Sequence, residues 1–173
     1  MKMQTGGDME ELVRIVSAAD GEIVGRTRLQ KTAFLLELAG LGSGYEFKYK
    51  HYGPFSEELA SAVDLAPLLF DFREDQKRSG WGGTYSVFTS GAPYKGDEGD
   101  PYRQLVSLAK RANPIALELA ATAAYLASIG DADPWGETER RKPEKVIGGK
   151  LDQAKALYIR FKQLQLPQAL PDI

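Results

Sequence analysis

Between residues 29 and 41 nearly every side of a helix would be apolar: Leu29, Ala33, Phe34, Leu35, Leu36, Leu38 and Leu41 leave little room for a solvated face. A helix of that kind belongs in the middle of a core, so the rest of the chain has to wrap around it. Thr27 and Gln30 form a capping-box pattern at its start, and Gly40 and Gly42 are suitable stops. The chain has 173 residues, 43% hydrophobic and 27% charged, which is material for one such core. It reads as one ordinary folded domain, or a small domain with a helical extension.

Other elements follow from local signals. Asp8 and Glu11 make a second capping-box pattern ahead of Leu12, Ile15, Val16 and Ala19, and Asp20-Gly21 ends that helix. The period changes at residues 45–52, where Tyr45, Phe47 and Tyr49 alternate with Glu46, Lys48 and Lys50; this predicts a half-buried strand. Gly53-Pro54 turns the chain, and Ser56 caps a third helix reaching about residue 66. Residues 70–76 and 84–89 flank Ser79-Gly80-Trp81-Gly82-Gly83 as a β-hairpin with a glycine-rich tip. A polar loop over 91–99 is the internal boundary, and helices are predicted over 103–112, 114–129, a short stretch from Pro134, and 149–165. Asn113-Pro114 is a strong start signal for the second of these. Its Ala116, Ala120, Ala123, Ala124 and Ala127 let a neighbouring helix come close. The tail beyond Pro167 reads as loose. The order predicts an α+β fold, mostly helical: a winged-helix-like core with a β-hairpin over residues 8–90, and a C-terminal helical extension over 101–165 packing back within one structural domain.

Composition closes off several classes. A net charge of −2 is not that of a polycation. With no cysteine and one histidine, His51, thiolate chemistry and multi-histidine metal sites are excluded, and no metal or cofactor is expected. The glycine-rich pieces do not run into Lys-Ser or Lys-Thr, so there is no P-loop. The carboxylates fall on predicted surfaces and form no acid–base pair. The chain therefore reads as non-enzymatic, with a cryptic enzyme using His51 the last-ranked reading. The opening residues show no apolar run behind a basic patch, and the apolar window 115–129 is too short to span a bilayer. A cytoplasmic location with no membrane partner is expected.

Four constellations invite a partner. Arg26, Arg28 and Lys31 crowd the positive end of a helix dipole, where cations are unfavourable. They call for an anion: a carboxylate from Asp20 or Glu22, or an external phosphate. Lys48, Lys50, His51 and Tyr52 interleave cations and rings, a pattern that binds nucleic acid. Alternatively, Tyr45, Phe47, Tyr49 and Phe55 are core and the lysines face water. Residues 26–52 hold five bases against two acids. Arg73, Lys77 and Arg78 would form a DNA-touching wing, though Asp71, Glu74 and Asp75 offset them, and Trp81 at the tip equally suits a protein contact. Glu139-Arg140-Arg141-Lys142-Pro143-Glu144-Lys145 reads as a solvated helix end or a partner contact.

The first reading is a transcription regulator binding duplex DNA through Arg26, Arg28, Lys31, Lys48, Lys50, His51, Tyr52, Arg73, Lys77 and Arg78. The second is an antitoxin-like or scaffold protein that binds a toxin or another regulatory protein through Tyr52, Phe55, Trp81 and the alanine-rich helix face. A homodimer is compatible with both.

Residues Gly25-Arg26-Thr27-Arg28-Leu29-Gln30-Lys31-Thr32-Ala33-Phe34-Leu35-Leu36, then Phe47-Lys48-Tyr49-Lys50-His51-Tyr52-Gly53-Pro54-Phe55-Ser56 and Leu59, resemble the YwgA-like family of prokaryotic proteins. The stretch from Pro114 to Leu126 and Lys142-Pro143 extend the likeness over about residues 8–165. More distantly the blocks are similar to SocA-like antitoxins carrying the Panacea domain: a Leu-x-Lys helix, an aromatic strand, then Gly-Pro and a helix. The resemblance implies a regulatory role through partner proteins, as antitoxins and proteolytic adaptors have, or through nucleic acid, as winged-helix-like members suggest.

Overall fold

The computed structural model describes residues 6–173. The elements run α1 (Gly6–Ala18), β1 (Glu22–Val24), α2 (Arg26–Leu38), β2 (Lys48–Lys50), β3 (Gly53–Phe55), α3 (Glu57–Leu65), β4 (Arg73–Arg78), β5 (Thr84–Thr89), α4 (Pro101–Arg111), α5 (Pro114–Ser128), α6 (Pro134–Arg141) and α7 (Lys150–Lys162). The fold is α+β and mostly helical.

β4 and β5 form the expected hairpin, with Asp75 opposite Val87 and Arg78 opposite Thr84. A strand absent from the sequence reading, β1, pairs antiparallel with the other edge of β5, Ile23 facing Phe88. The order β1-β5-β4, with α1 before β1 and α2 and α3 between β1 and the hairpin, is the winged-helix arrangement. Asp20 and Gly21 both take left-handed backbone (φ 57° and 85°), which turns α1 into β1. A Cβ on Gly21 would lie 2.9 Å from the Ser90 carbonyl oxygen, and Ser90 N–H donates to the Gly21 carbonyl at 3.0 Å, extending the β1–β5 contact. Only glycine fits there.

A two-stranded ribbon, β2 with β3, is inserted between α2 and α3, Tyr49 facing Pro54. Gly53-Pro54 therefore lies in a strand, and the turn is His51-Tyr52. Ser56 caps α3 as expected, accepting from Leu59 N–H at 3.3 Å. Asn113 caps α5, accepting from Ile115 and Ala116 N–H. Neither predicted capping box forms, because Asp8 and Thr27 both lie inside their helices. Asp8 lies inside α1, and Glu11 accepts from the Tyr102 hydroxyl. α2 starts after Gly25, with Thr27 inside the helix.

α2 is central, as predicted, and α5 is its counterpart. Leu29, Leu35 and Leu36 share one buried cluster with Leu12, Phe88, Leu105, Leu119 and Phe161. Burying each such side chain contributes roughly 1.5–3 kcal/mol. Residues 8–90 and 101–165 thus share a single core. The alanine face of α5 is covered within the chain: Ala116, Ala120, Ala123 and Ala124 are buried, with α2, α6 and α7 against the helix. It is not a partner surface, and neither is the inner face of α7. The tail is docked as well. Leu170 is buried, Gln168 N–H donates to the Ala39 carbonyl, and the Tyr158 hydroxyl donates to the Pro171 carbonyl. Among the described residues, no helix is long and apolar enough to cross a membrane.

Candidate functional site

The cations at the start of α2 are engaged by the fold itself. Arg26 makes a bidentate pair with Glu74 on β4, at 2.7 and 2.8 Å, and Ser86 donates to the same carboxylate. Partial burial raises the Glu74 pKa, but the hydrogen bonds from Arg26 and Ser86 outweigh it and hold the carboxyl below its ordinary value. Arg28 donates to the carbonyls of Ala109 and Ala112, both at 2.7 Å, closing the C-terminal end of α4 where a cation is favourable. Lys31 is 1% exposed and donates to the Pro54 carbonyl at 2.7 Å. The anion expected at this helix start is neither Asp20 nor Glu22. Arg26 meets the carboxylate of Glu74, while Arg28 and Lys31 donate to neutral peptide carbonyls.

The remaining predicted residues divide. Lys50 pairs with Glu57 and lies over the Phe55 ring at 4.6 Å. Lys48, His51, Arg73, Lys77 and Arg78 are exposed. Tyr52 is 60% exposed and Trp81 97%. Tyr45 is core, while Phe47 is half-buried against it.

Sequence reasoning missed a buried charge cluster behind the β2–β3 turn. Glu118 on α5 and Lys142 after α6 are both buried. Lys142 Nζ donates to Glu118 Oε1 at 2.8 Å and to the His51 carbonyl at 2.9 Å. Lys145 Nζ reaches both Glu118 oxygens at 2.7 Å. The run expected to be a solvated helix end therefore sends two amines inward. The signal was a lone acid in an otherwise apolar helix, which needs an internal cation. Lys31 belongs to the same charge field: burial lowers its pKa, Glu118 pulls it back, Lys142 and Lys145 push it down again, and it lies at about 7.

This cluster fixes the turn from below. Lys142 holds the His51 carbonyl and Lys31 the Pro54 carbonyl. Gln30 donates to the Ser56 carbonyl at 3.0 Å and accepts from Ser56 N–H at 2.8 Å. Gly53 (φ 91°) rests on α5 so closely that a Cβ would sit 2.5 Å from Thr122 Oγ1. From the outer side Lys145 lies over the Tyr52 ring at 4.8 Å and Arg141 over Tyr49 at 4.7 Å. Buried ion clusters are a poor source of stability but do fix geometry in some proteins; here the geometry fixed is that of residues 51–56.

Beside the turn lies an apolar pocket of about 240 Å³. Leu29, Phe55, Ala60, Val63 and Phe88 wall it, and Tyr52 and the α2 residues Arg26 and Lys31 also line it. The structure thus brings Tyr52 and Phe55 together and leaves Trp81 outside the group. α3, adjoining the pocket, carries Glu57, Glu58 and Asp64 and no Lys or Arg. Among the described residues, His, Asp and Glu side chains form no group that could hold a metal ion. Comparison with protein-family models, with curated proteins and with solved structures finds no match for the chain.

Proposed function

We propose that the chain is a regulatory module that acts by taking an apolar side chain of a partner protein into the pocket between α2 and α3, the antitoxin-like or adaptor mode, and that it does not grip duplex DNA with α3. A winged-helix protein reads DNA with the helix corresponding to α3. The observation carrying the proposal is the charge of that helix, which holds Glu57, Glu58 and Asp64 and no Lys or Arg of its own, with Glu57 paired to Lys50. Arg26, Arg28 and Lys31, the cations at the start of α2, are already bonded within the fold. The YwgA-like and Panacea resemblance agrees with partner binding, and a cytoplasmic setting belongs to the same proposal.

The rigid turn supports it. A contact surface whose shape is fixed before binding loses less entropy when it docks, and residues 51–56 are fixed from both sides. A second reading, backbone contacts to DNA by Lys48, Arg73, Lys77 and Arg78, is favoured by the exposure of those four side chains.

Affinity capture from the source cell separates the two. Ala60→Phe, which fills the pocket, is expected to abolish retention of a partner held by the unaltered chain, and Arg73→Glu/Lys77→Glu/Arg78→Glu to leave it intact. The reverse pattern overturns the proposal.

A further inference from the structure

The hairpin arm stands clear of the body. From Asp75 to Tyr85 every residue is exposed except Ser79, which is half-buried. Its tip is nevertheless ordered: Ser79 N–H donates to the Gly83 carbonyl at 2.8 Å, Gly82 N–H to the Ser79 carbonyl at 3.1 Å, and the Ser79 hydroxyl again to Gly83. This turn presents Trp81 with 97% of its surface in water. A tryptophan offers about 150–250 Å² for burial, and one held out on a structured arm is a typical interface anchor.

The pocket is the complementary feature. At about 240 Å³ it falls short of the roughly 300–1,000 Å³ that hold whole small-molecule ligands, and it suits one large side chain. The charges match as well. Lys77 and Arg78 precede Trp81 on the arm, and exposed Asp64 lies on the helix that walls the pocket, where Glu57 is already paired with Lys50.

We infer that in the free protein Trp81 of one copy fills the pocket of a second copy, and the reverse, in a two-fold dimer. The inference rests on the pocket being the docking site, and it names the occupant present when no other partner is bound. A two-fold pair closes on itself because each copy contributes one arm and one pocket. A competing partner then has to displace the arm, so dimer and partner complex exclude each other.

Trp135→Phe leaves Trp81 as the only tryptophan and gives a direct readout. Its emission is expected to shift to the blue as concentration rises through the micromolar range, in step with dimer formation by sedimentation velocity. Trp81→Ala and Ala60→Phe are each expected to stay monomeric. Mixed together they are expected to associate, because the mixture restores one arm and one intact pocket. A chain that remains monomeric with concentration-independent emission overturns the inference, as does a Trp81→Ala variant that still dimerises. If the chain is monomeric yet Ala60→Phe still abolishes partner capture, the dimer alone fails; if capture is also unaffected, the docking pocket fails with it.

Discussion

Lys142 Nζ and Glu118 Oε1 lie 2.8 Å apart with their side chains only 3% and 6% exposed, joining the end of α6 to the middle of α5. The same ammonium holds the His51 carbonyl, so one ion pair ties the C-terminal helices to the turn that carries the candidate site.

Removing the acid strands the amines. Glu118→Gln leaves Lys142 buried without a counter-charge, and breaking a buried pair this way costs about 3–5 kcal/mol. Lys142→Met is expected to cost less, because Lys145 still neutralises Glu118. Urea denaturation of the two variants checks the order.

Lys31 gives a pH signature. Its pKa is lowered from the ordinary 10.5 to about 7 by burial, countered by Glu118 and reinforced by Lys142 and Lys145. Between those values the unfolded chain binds the proton more tightly, so stability rises with pH across that window. The full penalty applies below about pH 7 and is gone above 10.5. Stability measured against pH for the unaltered chain minus that for Lys31→Met is expected to show this positive slope. A flat difference contradicts the assignment.

Gly53→Ala tests the seat of the turn. The new Cβ meets Thr122 Oγ1 at 2.5 Å and φ is 91°, so the variant is expected to lose more than about 1 kcal/mol. Adding Thr122→Ala should return part of that loss in thermal denaturation; no recovery would mean the backbone angle alone sets the cost.

What the sequence made legible were features whose partners are near in the chain. Ser56 and Asn113 bond donors two or three residues on, and the glycine-rich tip joins adjacent strands. β1 was hidden because three residues, Glu22–Val24, are too few to show alternation, and their partner is β5, more than sixty residues later. Glu118 and Lys142 were hidden for the same reason: neither is unusual until the fold brings them together. The cations on α2 stand out in the sequence because the positive end of a helix dipole disfavours them. Their partners were missed because two of the three are peptide carbonyls, which leave no mark in a sequence.

Arg28 separates a structural cation from a DNA-binding one. Arg28→Ala leaves the carbonyls of Ala109 and Ala112, at the end of α4, without this donor, an expected loss of about 1–3 kcal/mol in chemical denaturation.

The most direct measurement is the anisotropy of a labelled DNA duplex titrated with the protein as salt is varied from low ionic strength. The engaged cations and the acidic α3 predict no saturable binding, and no difference between the unaltered chain and an Arg73→Glu/Lys77→Glu/Arg78→Glu variant. Saturable binding whose affinity falls steeply with salt, as it does when several phosphates are neutralised, and which those three substitutions abolish, would contradict it.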